Sequence, residues 1–303
     1  MRAAAAGSLA ADAATVEAVE ALGGESIRAL LLKGPALATL LYEPAEERYW
    51  DDADLLVDPR LLDRAIEVLG RLGFRPQLSD PVARGAVPHA IPLVRRDGAP
   101  VSIDLHRSFA GVGVEPAAFW ASVSTGTEEI ELFGRPIPVP AAPARLALVA
   151  LHAASHGRPA QRSTRDLHRA VARFGRNDWS AAARLAEDWS ALDYFVVGLR
   201  LDPAGDEVLA AVGIDHRPGT AALMRGEGMP RAQRSLEQLG RADGAARARI
   251  VIGKAFPPPE VMRSWKPLAR RGPGGLALAY AWRPLWLAAE LVPALRSWLR
   301  ARR

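Results

Sequence analysis

The rhythm of apolar residues changes near residue 141. Before that point, short apolar runs at 27–32, 52–57, 74–78, 89–95, 101–105, 128–132 and 137–139 have strand length and are bounded by glycine, proline or aspartate. Segments 9–22, 35–42, 60–72 and 115–123 lie between them, with apolar positions at helical spacing. After Pro143 almost every segment is helical in period, broken at Gly157, Gly175, Pro203, Pro218, Pro230 and Pro257-Pro258-Pro259. The pattern predicts an α+β chain: a mixed sheet with flanking helices over 1–140, then an all-helical part over 141–303. Two hairpin turns are expected, at Asp97-Gly98 and at Phe133-Gly134.

Composition removes several function classes. Of 303 residues 49% are hydrophobic, enough to bury a substantial core. Lysine and arginine number 39 against 34 acids, which reads as a small excess of +5 spread along the chain and does not imply nucleic acid as a partner. Cysteine is absent, so disulfides, thiolate metal sites and cysteine nucleophiles are excluded. Arg2 is followed by alanines interrupted by Asp12 and Glu17, so no secretory leader is expected. The longest apolar stretch, 274–299, is interrupted by Arg283, Pro284, Glu290, Pro293 and Arg296, which predicts no membrane span and a cytoplasmic protein.

Within the first half, Asp52 and Asp54 stand two apart at the start of a strand that continues Leu55-Leu56-Val57. Strand geometry sends both side chains to one face. Two adjacent carboxylates repel, and burying them requires a positive partner. A hard divalent cation, magnesium above all, suits such oxygens; solvated acids at a strand end are the plainer alternative. Asp104 alternates with Val101, Ile103 and Leu105 on a second strand. Beside Asp52 and Asp54 it would complete a three-carboxylate set able to hold two metal ions about 3.5–4 Å apart, as in-line phosphoryl transfer uses. Asp51 falls on the opposite side of its strand and is left out of this set.

Leu32-Lys33-Gly34-Pro35 joins a strand to a helix. Glycine lets a phosphate approach the backbone, and Lys33 offers a point charge. The same residues also suit a plain strand-to-helix turn with a solvated lysine. What is specific is the order: strand, glycine turn, helix, strand with Asp-x-Asp, later strand with Asp.

That order resembles the polymerase-β-like nucleotidyltransferase superfamily, and more narrowly a bacterial family of uncharacterised nucleotidyltransferases. The matching residues are Leu32-Lys33-Gly34, Arg48 with Asp52-Ala53-Asp54-Leu55-Leu56-Val57, Asp104-Leu105-His106, and in the helical half His152, His156 and Asp166-Leu167. The resemblance is most specific over residues 30–170. It implies transfer of a nucleoside monophosphate from an NTP to an acceptor, with Asp52, Asp54 and Asp104 as catalytic residues and ligands of two Mg²⁺ ions. Lys33, Gly34, Arg48 and His106 are the nucleotide-binding candidates. The acceptor would be a small molecule, a peptide or a protein. Pro35 stands where the superfamily has a serine that touches phosphate. This departure supports the alternative of a non-catalytic nucleotide-binding or interaction protein that keeps the fold.

The remaining candidates weigh less. His152 and His156 share a helix face at zinc-compatible spacing, but Ala153-Ala154-Ser155 lacks the glutamate of a zinc-protease motif, and helix-face packing is the favoured reading. Arg48 either holds a phosphate or neutralises nearby acids. Neither a Gly-x-Ser-x-Gly elbow nor a Walker phosphate loop occurs. Trp265, Trp282, Trp286 and Trp298 lie among arginines, a pattern that fits packing better than contact with a membrane surface.

Overall fold

The computed structural model describes residues 2–43, 46–77, 89–97, 100–228 and 243–301. Its described residues form two compact units, one within 1–77 and 89–222 and the other within 223–303. The Asp97-Gly98 turn and the Pro230 break include positions outside the described residues.

The first unit is built on a five-stranded sheet in the order β1-β2-β5-β4-β3. The strands are β1 (Ala29–Leu31), β2 (Asp52–Val57), β3 (Arg75–Pro76), β4 (Ala90–Arg95) and β5 (Val101–His106). β2 and β5 pair in parallel, and the other neighbours are antiparallel. The chain therefore crosses over between β2 and β5, through helix α3 (Leu62–Arg71) and strands β3 and β4. Helices α1 (Arg2–Gly24) and α2 (Pro35–Leu41) precede β2, and α4 (Pro116–Thr125) follows β5. A hairpin of β6 (Thr127–Leu132) and β7 (Arg135–Pro140) comes next. Its turn residues Phe133 and Gly134 both have positive φ, the backbone of a primed turn that matches strand twist.

Alternation along the strands decides which residues meet which layer. Ala53, Leu55 and Val57 of β2, with Val101, Ile103 and Leu105 of β5, face a core made with α1 and α3. Leu56 faces the other way, together with Leu30 and Leu32, into a core shared with the helical segments. Those helices are α5 (Ala142–His156), α6 (Gln161–Arg173), α7 (Arg176–Asp188), α8 (Leu192–Leu199) and α9 (Gly205–Val212). Every residue of α5 from Ala144 to Leu151 is buried, so α5 is the central helix, packed against α6, α7 and α8. The sheet and the helices through residue 222 thus form one compact body. By the same alternation Asp52, Asp54, Ser102, Asp104 and His106 lie on the face that looks toward α5.

The second unit contains helices Gly244–Ala255, Pro259–Trp265 and Gly272–Ala301. They close on a small core of Met262, Ala269 and Ala279, with Trp265, Leu276 and Tyr280 against it. No helix among the described residues is long and apolar enough to cross a membrane.

Candidate functional site

Parallel pairing of β2 and β5 sets Asp54 directly opposite Asp104, and Asp52 opposite Ser102. Asp54 is buried, while Asp52 and Asp104 remain partly open. The oxygens of Asp54 and Asp104 and a ring nitrogen of His106 all lie within 4.8 Å of one another. Asp52 sits one pair nearer the start of the strand, on the same face. The three expected carboxylates therefore share one patch, and the tightest group within it contains His106. Asp51 points elsewhere: it is exposed, 3.6 Å from Arg162 Nη2.

Positive charge enters from β1 and its turn. Lys33 Nζ lies 2.5 Å from Asp54 Oδ1. His106 Nε2 lies 2.9 Å from the same oxygen, and its Nδ1 is 3.2 Å from the Ser108 carbonyl. Burial works against the Asp54 charge, yet Lys33 and His106 outweigh it and hold the carboxyl well below the usual carboxylate range. Asp52 has no such partner. Burial first, then repulsion from Asp54, lifts its pKa to about 6 against a partial offset by Lys33. Asp104 is raised for the same two reasons, burial and the Asp54 charge. One ammonium and one imidazole thus face three carboxylates. The surplus negative charge, carried on hard oxygens, fits a divalent cation of the magnesium type.

Gly34 adopts φ 59°, ψ −121°, a backbone conformation that side chains disfavour. A Cβ there would also meet the Trp50 ring at 3.4 Å. Trp50 is fixed by its own bonds: its indole N–H donates to Asp12 Oδ1 at 2.8 Å, and its amide donates to Ser8 Oγ at 2.9 Å. Past the turn, Ala36 and Leu37 donate their amides to the carbonyls of Lys33 and Gly34, both at 3.2 Å. Those amides therefore serve the turn itself.

Arg48 is placed by a different set of contacts. Its Nε and Nη2 donate to the two carboxylate oxygens of Asp166 at 3.0 and 2.8 Å, and its Nη1 donates to the Gly34 carbonyl at 3.1 Å. Tyr42 donates its hydroxyl to Asp166 Oδ1 at 2.7 Å. Burial and the Asp166 carboxylate push the Tyr42 hydroxyl up to about 12. Arg48 thereby ties the glycine turn to α6.

A row of rings lines the same region. His89 and His106 have centroids 5.9 Å apart, His106 and Phe109 5.9 Å, Phe109 and His152 6.5 Å, and His152 and His156 4.5 Å. Lys33 Nζ lies 5.8 Å from the Phe109 ring centroid. Burial, then the Lys33 and His156 charges, holds His152 well below the ordinary histidine pKa, so its ring is neutral near pH 7. His152 thus stands beside the lysine–aspartate pair as well as on a helix face. Its signal in the sequence was the four-residue spacing from His156 on what became α5. Phe109, Trp50 and Tyr42 carried no signal of their own, because each acts through a neighbour that only folding supplies.

A family model described as "Uncharacterised nucleotidyltransferase" matches residues 1–202. No curated protein matches the chain. Among solved structures, an antigenic nucleotidyltransferase-like protein from Paracoccidioides brasiliensis is similar, at 14% identity and a TM-score of 0.38. The match covers 66% of this chain and 91% of that one.

Proposed function

Because the chain belongs to the uncharacterised nucleotidyltransferase family, we propose that it transfers a nucleoside monophosphate from an NTP to an acceptor hydroxyl in an Mg²⁺-dependent reaction. The acceptor oxygen bonds to the α-phosphorus, the bond from that phosphorus to the bridging oxygen breaks, and pyrophosphate leaves with that electron pair. The observation that carries the reading is the register pair Asp54–Asp104, with Asp52 on the same strand face and His106 within reach of both acids.

In this reading Asp52, Asp54 and Asp104, with His106 beside them, would hold two Mg²⁺ ions, which neutralise phosphate charge and lower the pKa of an acceptor hydroxyl. The chain's own residues do the rest. Lys33 sits partly open to water next to the acids and presents its ammonium to the nucleotide phosphates. Gly34 keeps that turn free of a side chain. Asp104 Oδ receives the acceptor's proton. Arg48 holds the turn in place through Asp166 rather than reaching for phosphate itself. The division near residue 141 is then one of labour: residues 1–140 bring the acids and Lys33, while the segment after 141 walls the cleft with α5 and its His152.

The test is transfer of label from an NTP labelled in its α-phosphate, with pyrophosphate release, across a panel of hydroxyl-bearing small molecules, peptides and proteins. Asp52→Asn or Asp104→Asn should abolish transfer and leave the fold intact; full activity in either variant overturns the reading. A second reading, an NTP-binding protein without turnover, is favoured by the direct Lys33–Asp54 pair, which occupies a carboxylate that a cation would need. NTP binding by calorimetry without transfer to any acceptor in the panel would select it.

A further inference from the structure

Counted by segment, the positive excess is not spread along the chain. Residues 223–303 carry 16 lysines and arginines against five acids, whereas residues 1–222 carry 23 against 29. The basic segment also contains a helix whose outer face is apolar. From Gly272 to Ala289 the sole charged residue in the sequence is Arg283. It is turned inward, 5% exposed, with Nε donating to the Lys254 carbonyl at 2.6 Å. Leu278, Trp282 and Leu285, at helical spacing on the opposite side, are 61%, 50% and 65% exposed. Ala277, Ala281 and Ala288 widen the same exposed stripe. An ordinary surface helix places its charge outward and its apolar stripe inward, whereas here the outward side is apolar as well and the one charge of the stretch turns inward.

Bases border the stripe. Lys266 Nζ stands 4.7 Å from the Trp282 ring centroid, and Arg263, Arg270 and Arg271 are exposed on the segment leading into the helix. The neighbouring helix Gly244–Ala255 presents exposed Val251 and Ile252, and Phe256 just beyond it lies 6.4 Å from the Tyr280 ring.

We propose that this face docks on an anionic lipid bilayer. The stripe of Leu278, Trp282 and Leu285 would lie at the boundary between headgroups and acyl chains, and the surrounding lysine and arginines would meet the lipid phosphates. Charge complementarity selects this occupant. A second copy docking through the same face would set one strongly positive segment against another. A nucleic acid would satisfy the bases and could stack on Trp282, but it offers nothing to the exposed aliphatic side chains. An anionic bilayer supplies both an apolar layer and negative headgroups in one plane. The helix lies along that plane, since none among the described residues is long and apolar enough to cross. This inference is independent of the transferase reading.

The test uses the full chain and sedimentation with two vesicle preparations, phosphatidylcholine alone and phosphatidylcholine mixed with phosphatidylglycerol. The expected result is co-sedimentation with the mixed vesicles at about 0.1 M salt, much weaker binding to the neutral ones, and release as salt approaches about 1 M. Leu278→Gln, Trp282→Ser and Leu285→Gln combined should weaken partitioning about tenfold or more, with the circular dichroism unchanged. Arg270→Glu with Arg271→Glu should weaken it by a similar factor while leaving the apolar stripe whole. No binding to the mixed vesicles, or full binding by the apolar variant, overturns the proposal. So does a dimer in solution that the apolar variant dissociates, or retention on single-stranded RNA in place of vesicles.

Discussion

Lys33 Nζ and Asp54 Oδ1 lie 2.5 Å apart, with the carboxylate buried and the ammonium partly open to water. The pair compensates the deepest charge in the site from within the chain. Removing the ammonium leaves Asp54 with only His106 at hydrogen-bond distance from that oxygen. Breaking a buried pair from one side costs roughly 3–5 kcal/mol, most of it the penalty of the stranded charge. Lys33→Met is therefore expected to unfold at lower urea concentration than the parent, and Mg²⁺ should restore a large part of the loss by taking over the compensation. Urea titrations with and without the ion measure both effects. A Lys33→Met protein as stable as the parent would mean that Asp54 is compensated elsewhere.

Asp104 predicts the reverse sign. Its carboxyl faces Asp54 across the parallel pair and is raised by burial and by that charge, so its ionised form works against the fold. Asp104→Asn should relieve about 1 kcal/mol of repulsion and raise the melting temperature of the metal-free protein by about 2–4 °C. The same substitution should abolish the further rise that Mg²⁺ gives the parent. Thermal melts of both proteins, with and without Mg²⁺, decide this. A lower metal-free melting temperature in Asp104→Asn would assign the residue a structural role.

The pH dependence follows from three raised acids, Asp52, Asp12 and Asp104. Asp52 and Asp12 each move from 3.8 to about 6, both chiefly by burial. A folded pKa above the unfolded one means that the native state binds more protons between the two values. Stability then falls as pH rises from about 4 to about 6, and these groups add no further change above that. Asp54 acts in the opposite sense, and its contribution is lost only as pH drops below the ordinary carboxylate range. Melting temperatures read between about pH 4 and about pH 8 should show the fall, and Asp12→Asn should make it shallower. Saturating Mg²⁺ should remove the share due to Asp52 and Asp104 but not that of Asp12, which accepts a hydrogen bond from Trp50 instead.

The strands that position the acids were legible because alternation and short length left few choices. Asp52–Val57 is a strand over the expected residues, and Val101 begins β5 where expected. The resemblance brought Asp52, Asp54 and Asp104 to one patch, and pairing register does the same. That Arg48 would neutralise an acid was one of two readings, but which acid was not legible. Its partner Asp166 lies 118 residues away, and only the packing of α6 beside the glycine turn brings the two together. The inward turn of Arg283 was equally hidden, since the helical period alone does not say which side of Gly272–Ala301 meets the rest of its unit.

Arg48 then yields a prediction that separates positioning from phosphate binding. Its fork meets both oxygens of Asp166 while a third nitrogen holds the Gly34 carbonyl. Lysine has one ammonium and cannot reproduce that geometry. Asp166→Asn should therefore destabilise the chain by roughly 3–5 kcal/mol, and Arg48→Lys, which keeps the charge but loses the fork, by about 1.5–3 kcal/mol. The double variant should lose less than the sum, because both single changes break the same fork between Arg48 and Asp166. Tyr42→Phe, which removes one hydrogen bond to Asp166, should cost about 1–2 kcal/mol. Urea unfolding of the four variants measures the set. If Arg48→Lys is as stable as the parent while NTP affinity collapses, the guanidinium contacts phosphate directly and the assignment to the glycine turn fails.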